Sequence, residues 1–410
     1  MTARLMPKPA PSDFVIAILI GITQTIGYGS LYYSFGVLAP FMAEDTGLSL
    51  TFVYGLFSIA LLASGFIAPR AGRLLDGTDP ARVMTFGSCL GAMLLAAWAL
   101  APGKIAFGVF LILSQMSSVL VLYEAAFVLA ARLSPMNARR TITGITLIAG
   151  FASTIFWPLT SWLTIVFDWR TILLLFAGLN LLVCAPLHLF LTRRVARSMA
   201  GKTEVGQQLA QGTIASDRDR RIAFRLLLIA FAANAFVMSA VHLHLIGLLG
   251  ALGLGASAAL IGALIGPAQV AGRIAEFTAG PRISVMSVAL FATGALPAGL
   301  GFLVGGSGYL PAAIVFALVF GAGQGLSYIV RGVLPLTLFG ANGYGARTGR
   351  INSVRLFVSA GAPFLAAAIF ERFGAQAVLG VIAAAGIIGF VAIVAIVPIL
   401  RRAGQPGAPT

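Results

Sequence analysis

Ala71-Gly72-Arg73-Leu74-Leu75-Asp76 closes one long apolar run, and Ala271-Gly272-Arg273-Ile274-Ala275-Glu276 closes another 200 residues later. Thr78 and Arg82 recur at that offset as Thr278 and Arg282, and Arg140-Thr141 recurs as Arg347-Thr348 at an offset of 207. Chance can supply one such match. Three that keep order and near-constant offset describe a chain built from two halves in parallel orientation.

Outward from these repeats the chain is mostly apolar. Of 410 residues 59% are hydrophobic and 10% charged, with a mean hydropathy of +0.99, which excludes an ordinary soluble domain. Twelve runs are long enough to cross a bilayer: about 13–39, 51–69, 83–101, 105–131, 142–166, 171–192, 222–249, 256–274, 284–304, 309–339, 351–370 and 375–400. Runs this long and continuous must be helices, because the backbone has no water to bond in lipid. The first exceeds a signal-peptide core and has no small-residue cleavage site, so it is expected to stay as a spanning helix. The expected fold is an all-α integral membrane protein of twelve transmembrane helices in two six-helix bundles. Its divisions are an N-terminal bundle at 1–192, a cytoplasmic linker at 193–221 carrying Lys202, Glu204, Gln207, Gln208 and Gln211, a C-terminal bundle at 222–400 and a loose polar tail at 401–410.

A net charge of +15 would suggest nucleic acid in a soluble chain, but its distribution argues otherwise. With the N-terminus inside, 23 of the 27 Lys and Arg fall in the N-terminal tail and in 70–82, 132–140, 193–225, 273–282, 347–355 and 401–402. Lys104, Arg170 and Arg372 fall outside, and Arg331 falls within a span. That bias predicts a multi-pass protein of the cytoplasmic membrane with both termini cytoplasmic. Cys89 and Cys184 show no pairing or metal-ligand pattern. There is no His-Glu-x-x-His, Gly-x-Ser-x-Gly or phosphate-binding loop, so neither an enzyme nor a cofactor or metal is expected. The partners implied are a small-molecule substrate, protons and lipid, with no nucleic acid, for a monomer.

The segment from Gly72 to Arg82, with Gly-x-x-x-Asp ending at Asp76 and a following Arg, resembles the loop between helices 2 and 3 of the major facilitator superfamily. Asp168-Trp169-Arg170 is similar to the Gly-Trp-Arg of many members, with Asp in place of Gly. The resemblance implies alternating access between two bundles, with helices 1, 4, 7 and 10 lining the cavity. It also implies a cytoplasmic gate at Gly72, Arg73, Asp76, Arg82, Arg273 and Glu276. Within the superfamily the sequence is most similar to the monocarboxylate and oxalate–formate types of organic anion transporter. The eighth helix of monocarboxylate transporters carries Asp-x-x-x-Arg for proton and carboxylate; here Gln269 replaces the acid and Arg273 remains. Arg273 also matches Arg73 in the repeat, which favours a latch over a ligand.

On those four helices, spacings of three, four and seven select one face. The first shows Gln24, Tyr28 and Tyr32; the seventh shows Asn234, Met238 and His242 at an offset of 210. The fourth shows Ser117 and Glu124, with Tyr123 alongside, and the tenth shows Gln324, Tyr328 and Arg331. Glu124 alone among twelve acids sits well inside a span, eight residues or roughly 12 Å of helix before Arg132. An acid at that depth is a functional hypothesis by default. Paired with Arg331 it can serve as gate, substrate clamp or proton switch; Arg331 suits a carboxylate or phosphate. A structural ion pair is the plainer reading of both.

His242 is a candidate hydrogen-bond donor or proton carrier beside Glu124; His244 reads as a packed histidine and His188 as interfacial. Trp157-Pro158 reads as a kink with a packed indole, or as an aromatic cavity wall. Gly87-x-x-x-Gly91 and Gly262-x-x-x-Gly266 read as packing seams. The function expected is a proton-coupled secondary transporter, by symport, of a small monocarboxylate-like anion. The alternative is a proton-driven exporter of amphipathic or cationic compounds, with Glu124 facing positive charge and tyrosines and Trp157 forming the wall.

Overall fold

The computed structural model describes residues 11–200, 212–306 and 308–403. The basic N-terminal tail, the linker residues Lys202 to Gln211 and the polar end of the tail lie outside them. Among the described residues every regular element is helical. The spans are α1 (Asp13–Thr46), α2 (Leu50–Gly77), α3 (Pro80–Ala99), α4 (Lys104–Leu133), α5 (Ala138–Val166), α6 (Trp169–Arg193), α7 (Asp217–Ala251), α8 (Gly255–Ala279), α9 (Val285–Gly305) and α10 (Leu310–Phe339). The last apolar helical stretch, Tyr344–Ala403, divides at Gly374, whose φ of 78° and ψ of −179° no helix contains. It therefore makes two spans, α11 (344–373) and α12 (375–403), completing two six-helix bundles. Most spans are longer than their apolar cores, because polar first and last turns continue the helix beyond the hydrophobic run.

The ends are set locally. Ser49, Asp79, Asp168 and Ser284 cap α2, α3, α6 and α9 by accepting from a backbone N–H of the first turn, and Pro80 opens α3 where its missing N–H costs nothing. Asp168-Trp169-Arg170 ties down one end of the N-terminal bundle. The Arg170 guanidinium lies 2.8 Å from Asp45 and from the Ala99 carbonyl, and 4.4 Å over the Trp169 ring.

Three irregularities matter more than the regular turns. In α1 a π-helical stretch, Gly29–Tyr33, inserts an extra residue, with the Ser34 N–H reaching back to the Gly29 carbonyl. Gly29 is required there, since any Cβ would collide with the Phe156 ring. In α4 the helix breaks between Ser118 and Tyr123. Ser117 and Ser118 turn their hydroxyls back onto the Ser114 and Gln115 carbonyls at 2.6 Å, and the backbone tightens before Leu122 goes extended. The break packs into the Gly87 notch of α3, where a Cβ would meet Leu120 and Val121 at 2.8 and 2.7 Å. Gly266 has no neighbour within 4 Å of a Cβ, so the second glycine pair is not the packing seam expected. The third break is in α5 at Gly150-Phe151, between the segments Ala138–Ala149 and Ala152–Val166.

Candidate functional site

Broken helices are tolerated at membrane depth where they line a cavity or find internal partners. Both conditions hold here. Gln24 of α1 donates its Nε2 to the Val121 carbonyl at 2.7 Å, holding the α4 break, and Gln115 of α4 donates to the Leu31 carbonyl within the π stretch. These two glutamines exchange support between the two distorted segments. Between them and the C-terminal bundle lies a small cavity of about 90 Å³.

The α4 break makes Tyr123 and Glu124 the first turn of a new half-helix, Tyr123–Leu133. Its unpaired N–H groups give that end positive character, and the Glu124 side chain lies beside it. Arg331 approaches from α10, with Nε 3.4 Å from the Glu124 Oε1 and both side chains more than nine-tenths buried. The contact is an ion pair, not a hydrogen bond. Glu124 Oε1 and Arg331 Nε and Nη2 are buried with no hydrogen-bond partner in the protein. The guanidinium is flanked instead by the rings of Tyr123 and Tyr328 at 5.6 and 5.5 Å.

The sequence-selected residues fall into two groups. Tyr28, Tyr32, Glu124, Tyr328 and Arg331 line the cavity together, and Tyr123 backs it through Tyr28 at 4.6 Å between ring centroids. Gln24 stands behind it at the α4 break. Gln324 is directed to His242, 2.8 Å away. Asn234 is buried with both amide atoms unpaired, and its Oδ1 faces Gly389 of α12. Gln269 packs its backbone under Gly325. Trp157 is half exposed, edge-on to Tyr33 at 6.0 Å. His244 donates from its Nε2 to the Pro363 carbonyl at 3.0 Å, as a packed histidine does. His188 is not interfacial: it is buried between Ser88 and Thr23, 3.0 Å from each hydroxyl.

Period-3.6 reading missed Tyr33, because the π stretch rotates it onto the face that Tyr28 and Tyr32 already occupy. It also missed Arg355. The charge pattern assigns Arg355 to a loop, yet it lies eleven residues into α11, roughly 16 Å along the helix, and lines the cavity. Its Nε and Nη2 donate to Asn352 Oδ1 at 3.2 and 2.7 Å. The signal available was the spacing Asn352, Arg355, Ser359 at i, i+3 and i+7, one polar face on an otherwise apolar helix.

The end of the bundles where most Lys and Arg gather is closed by a different kind of contact. Asp76 of α2 accepts the backbone N–H groups of Gly345 and Ala346, at 2.8 and 2.7 Å, capping α11 in the opposite bundle. Gly72 lies against the Gly345 carbonyl so closely that no Cβ fits. Arg139 makes two bonds to the Glu276 Oε1, at 3.0 and 2.8 Å, and one to the Ile283 carbonyl. Arg273 is 2% exposed and donates to the carbonyls of Thr146 and Gly325, one in each bundle. Its repeat counterpart Arg73 is exposed, and Arg82 has an 80% exposed side chain beside Asp79. The two halves are thus equivalent in sequence at this point and different in contact.

Residues 15–277 match the family profile described as Major Facilitator Superfamily. The fold is similar to that of the human organic anion transporter MFSD10 (TETRAN), with a TM-score of 0.70 and 16% identity over 94% of this chain and 100% of that one. It is similar to FucP, a transporter of the same superfamily solved in the outward conformation, at 0.64 and 15% over 96% and 100%. It is also similar to the proton:xylose symporter XylE bound to 6-bromo-6-deoxy-D-glucose, at 0.70 and 10% over 93% and 95%. No curated protein matches the chain by sequence. Such low identities carry the fold, and the profile spans most of the length: the chain belongs to the major facilitator superfamily.

Proposed function

We propose that the protein is a secondary transporter that moves a small organic anion across the cytoplasmic membrane by alternating access, coupled to protons through Glu124. The observation that carries the reading is the state of Arg331. It is a buried guanidinium facing a cavity between the bundles, and its Nε and Nη2 have no hydrogen-bond partner in the protein. An unmet charged donor is costly to keep, and a carboxylate with two oxygens in one plane is what such a fork accepts. A substrate carboxylate on Arg331 withdraws the counter-charge from Glu124, which then takes up a proton. Proton and anion move together on this account. His242 stands next to Gln324, away from the ion pair, and serves better as a neighbour to the cavity than as the proton site.

An exporter of amphipathic cations is less well served. Glu124 already faces a guanidinium, the ring faces of Tyr123 and Tyr328 are turned to it, and the cavity is far below the roughly 300–1,000 Å³ of sites for drug-sized ligands. Purified protein in sealed vesicles under an imposed pH gradient tests the proposal. Accumulation of a labelled monocarboxylate with an inward proton gradient supports it, and Glu124→Gln should abolish the accumulation while leaving exchange. Proton-driven cation efflux in its place would overturn it.

A further inference from the structure

Arg355 gives the cavity a second guanidinium, and nothing in the function above employs it. The cavity lining carries one acid, Glu124, and two arginines, Arg331 and Arg355, a formal balance of one positive charge. Arg331 faces Glu124, whereas Arg355 bonds to the neutral amide of Asn352. Asn352 takes two donors of the fork, Nε and Nη2, through one oxygen and brings no charge to match the guanidinium. Asn352, Arg355 and Ser359 all line the cavity on one face of α11, opposite Tyr28, Tyr32 and Tyr33 of α1.

We infer that Arg355 is the residue that selects the substrate's charge: it receives the carboxylate of a small hydroxylated monoanion, whose body lies against Tyr28, Tyr32 and Tyr33. The inference rests on the organic-anion reading and deepens it. Charge balance supplies the argument. A site taken out of water binds most favourably the ligand that brings its formal charge to zero, because the desolvation of an unmatched ion is severe. At the binding step, with Glu124 still ionised, one monoanion neutralises the cavity, and the proton that Glu124 takes up follows the anion. A neutral sugar leaves it at plus one, and an amine raises it to plus two. The tyrosine hydroxyls and the Ser359 hydroxyl give the body of the substrate donors and acceptors in place of water. The Glu124–Arg331 pair then holds the floor of the site, and Arg331 is the second contact, met as the bundles close around the load.

Binding to the purified full-length protein tests this, with sodium lactate as probe, xylose and choline chloride as neutral and cationic comparators, and a sodium sulfate control for ionic strength. Lactate should bind the wild type. Arg355→Gln should weaken it by about tenfold or more, the loss expected for a charge-assisted hydrogen bond. Arg355→Lys should recover part of that, since the charge stays and the planar fork goes. Unchanged lactate affinity in Arg355→Gln overturns the inference, and if Arg331→Gln then loses binding, the organic-anion reading stands without it. Choline or xylose binding in preference to lactate overturns both. Should none of the probes bind, the melting temperature of the unliganded variants decides. A rise of about 2 °C or more in Arg355→Gln marks a charge held unmatched for a ligand. A fall marks an arginine kept for packing and sinks the inference.

Discussion

Two sets of charged residues join the same two bundles, and they differ in how fully they are met. At the basic end Asp76 has two backbone donors, Glu276 a guanidinium at 2.8 Å, and Arg273 a carbonyl from each bundle. In the cavity Glu124 and Arg331 stand 3.4 Å apart with three buried polar atoms unpartnered between them. Saturated contacts hold a conformation; unsaturated ones wait for something else. On that difference we propose the basic end as a latch and the cavity as a binding site.

The largest expected effect comes from breaking the cavity pair on one side only. Arg331→Ala leaves Glu124 buried without a counter-charge and should cost about 3–5 kcal/mol of stability as well as transport. Combining Glu124→Gln with Arg331→Gln should restore most of the stability and none of the transport, measured by melting temperature and vesicle uptake. Recovery of transport in the double variant would place the pair with the latch and erase the contrast.

The latch gives the next effect. Asp76→Asn keeps one acceptor but loses the charge that holds the α11 N-terminus, a loss of about 1.5–3 kcal/mol for the closed arrangement. In a background without Cys89 and Cys184, thiol labelling of Ala346→Cys should speed up about tenfold or more when Asp76→Asn is added. Equal rates would show that the Gly72–Gly345 approach closes this end by packing alone. A double-mutant cycle between Arg139→Gln and Glu276→Gln should give a smaller coupling, about 1 kcal/mol, because the arginine is partly exposed.

Sequence reading reached this contrast unevenly, for physical reasons. Hydropathy and charge bias located the spans, because a bilayer leaves the backbone few choices. The equivalence of Glu124 and Arg331 in the two halves placed both on the cavity, since a repeat carries depth and face with it. What was not legible is whatever departs from a regular helix. The π stretch at Gly29–Tyr33 moved Tyr33 onto the cavity face, and the α4 break set Glu124 at a helix N-terminus. Both changed the job of Gln24, read from its spacing as a cavity residue and found bonded to the Val121 carbonyl. Arg355 escaped because charge near a loop reads as loop; only the depth of α11 shows it to be interior. Arg273 and Arg73 share a motif and diverge in burial, which a repeat in sequence cannot distinguish.

The smallest effect calibrates the others. Asp168 is a met carboxylate like Asp76, with Thr171 N–H at 2.7 Å, but it caps α6 within one bundle and bridges nothing. Hydrogen bonds from the Thr171 side chain and backbone hold its carboxyl below the usual carboxylate range. A lowered folded value means that its contribution is complete above the unfolded value near 3.8 and is lost as pH falls through the folded one. Asp168→Ala should cost about 1 kcal/mol at neutral pH, and the deficit should shrink on acidification as the wild type loses its charged cap, while Asp168→Asn should cost less and its smaller deficit should shrink over the same range. Uptake should be untouched by either. If Asp168→Ala sped the labelling of Ala346→Cys as Asp76→Asn is expected to, then a saturated carboxylate would matter for its capping alone, and spanning the two bundles would cease to be what makes Asp76 a latch.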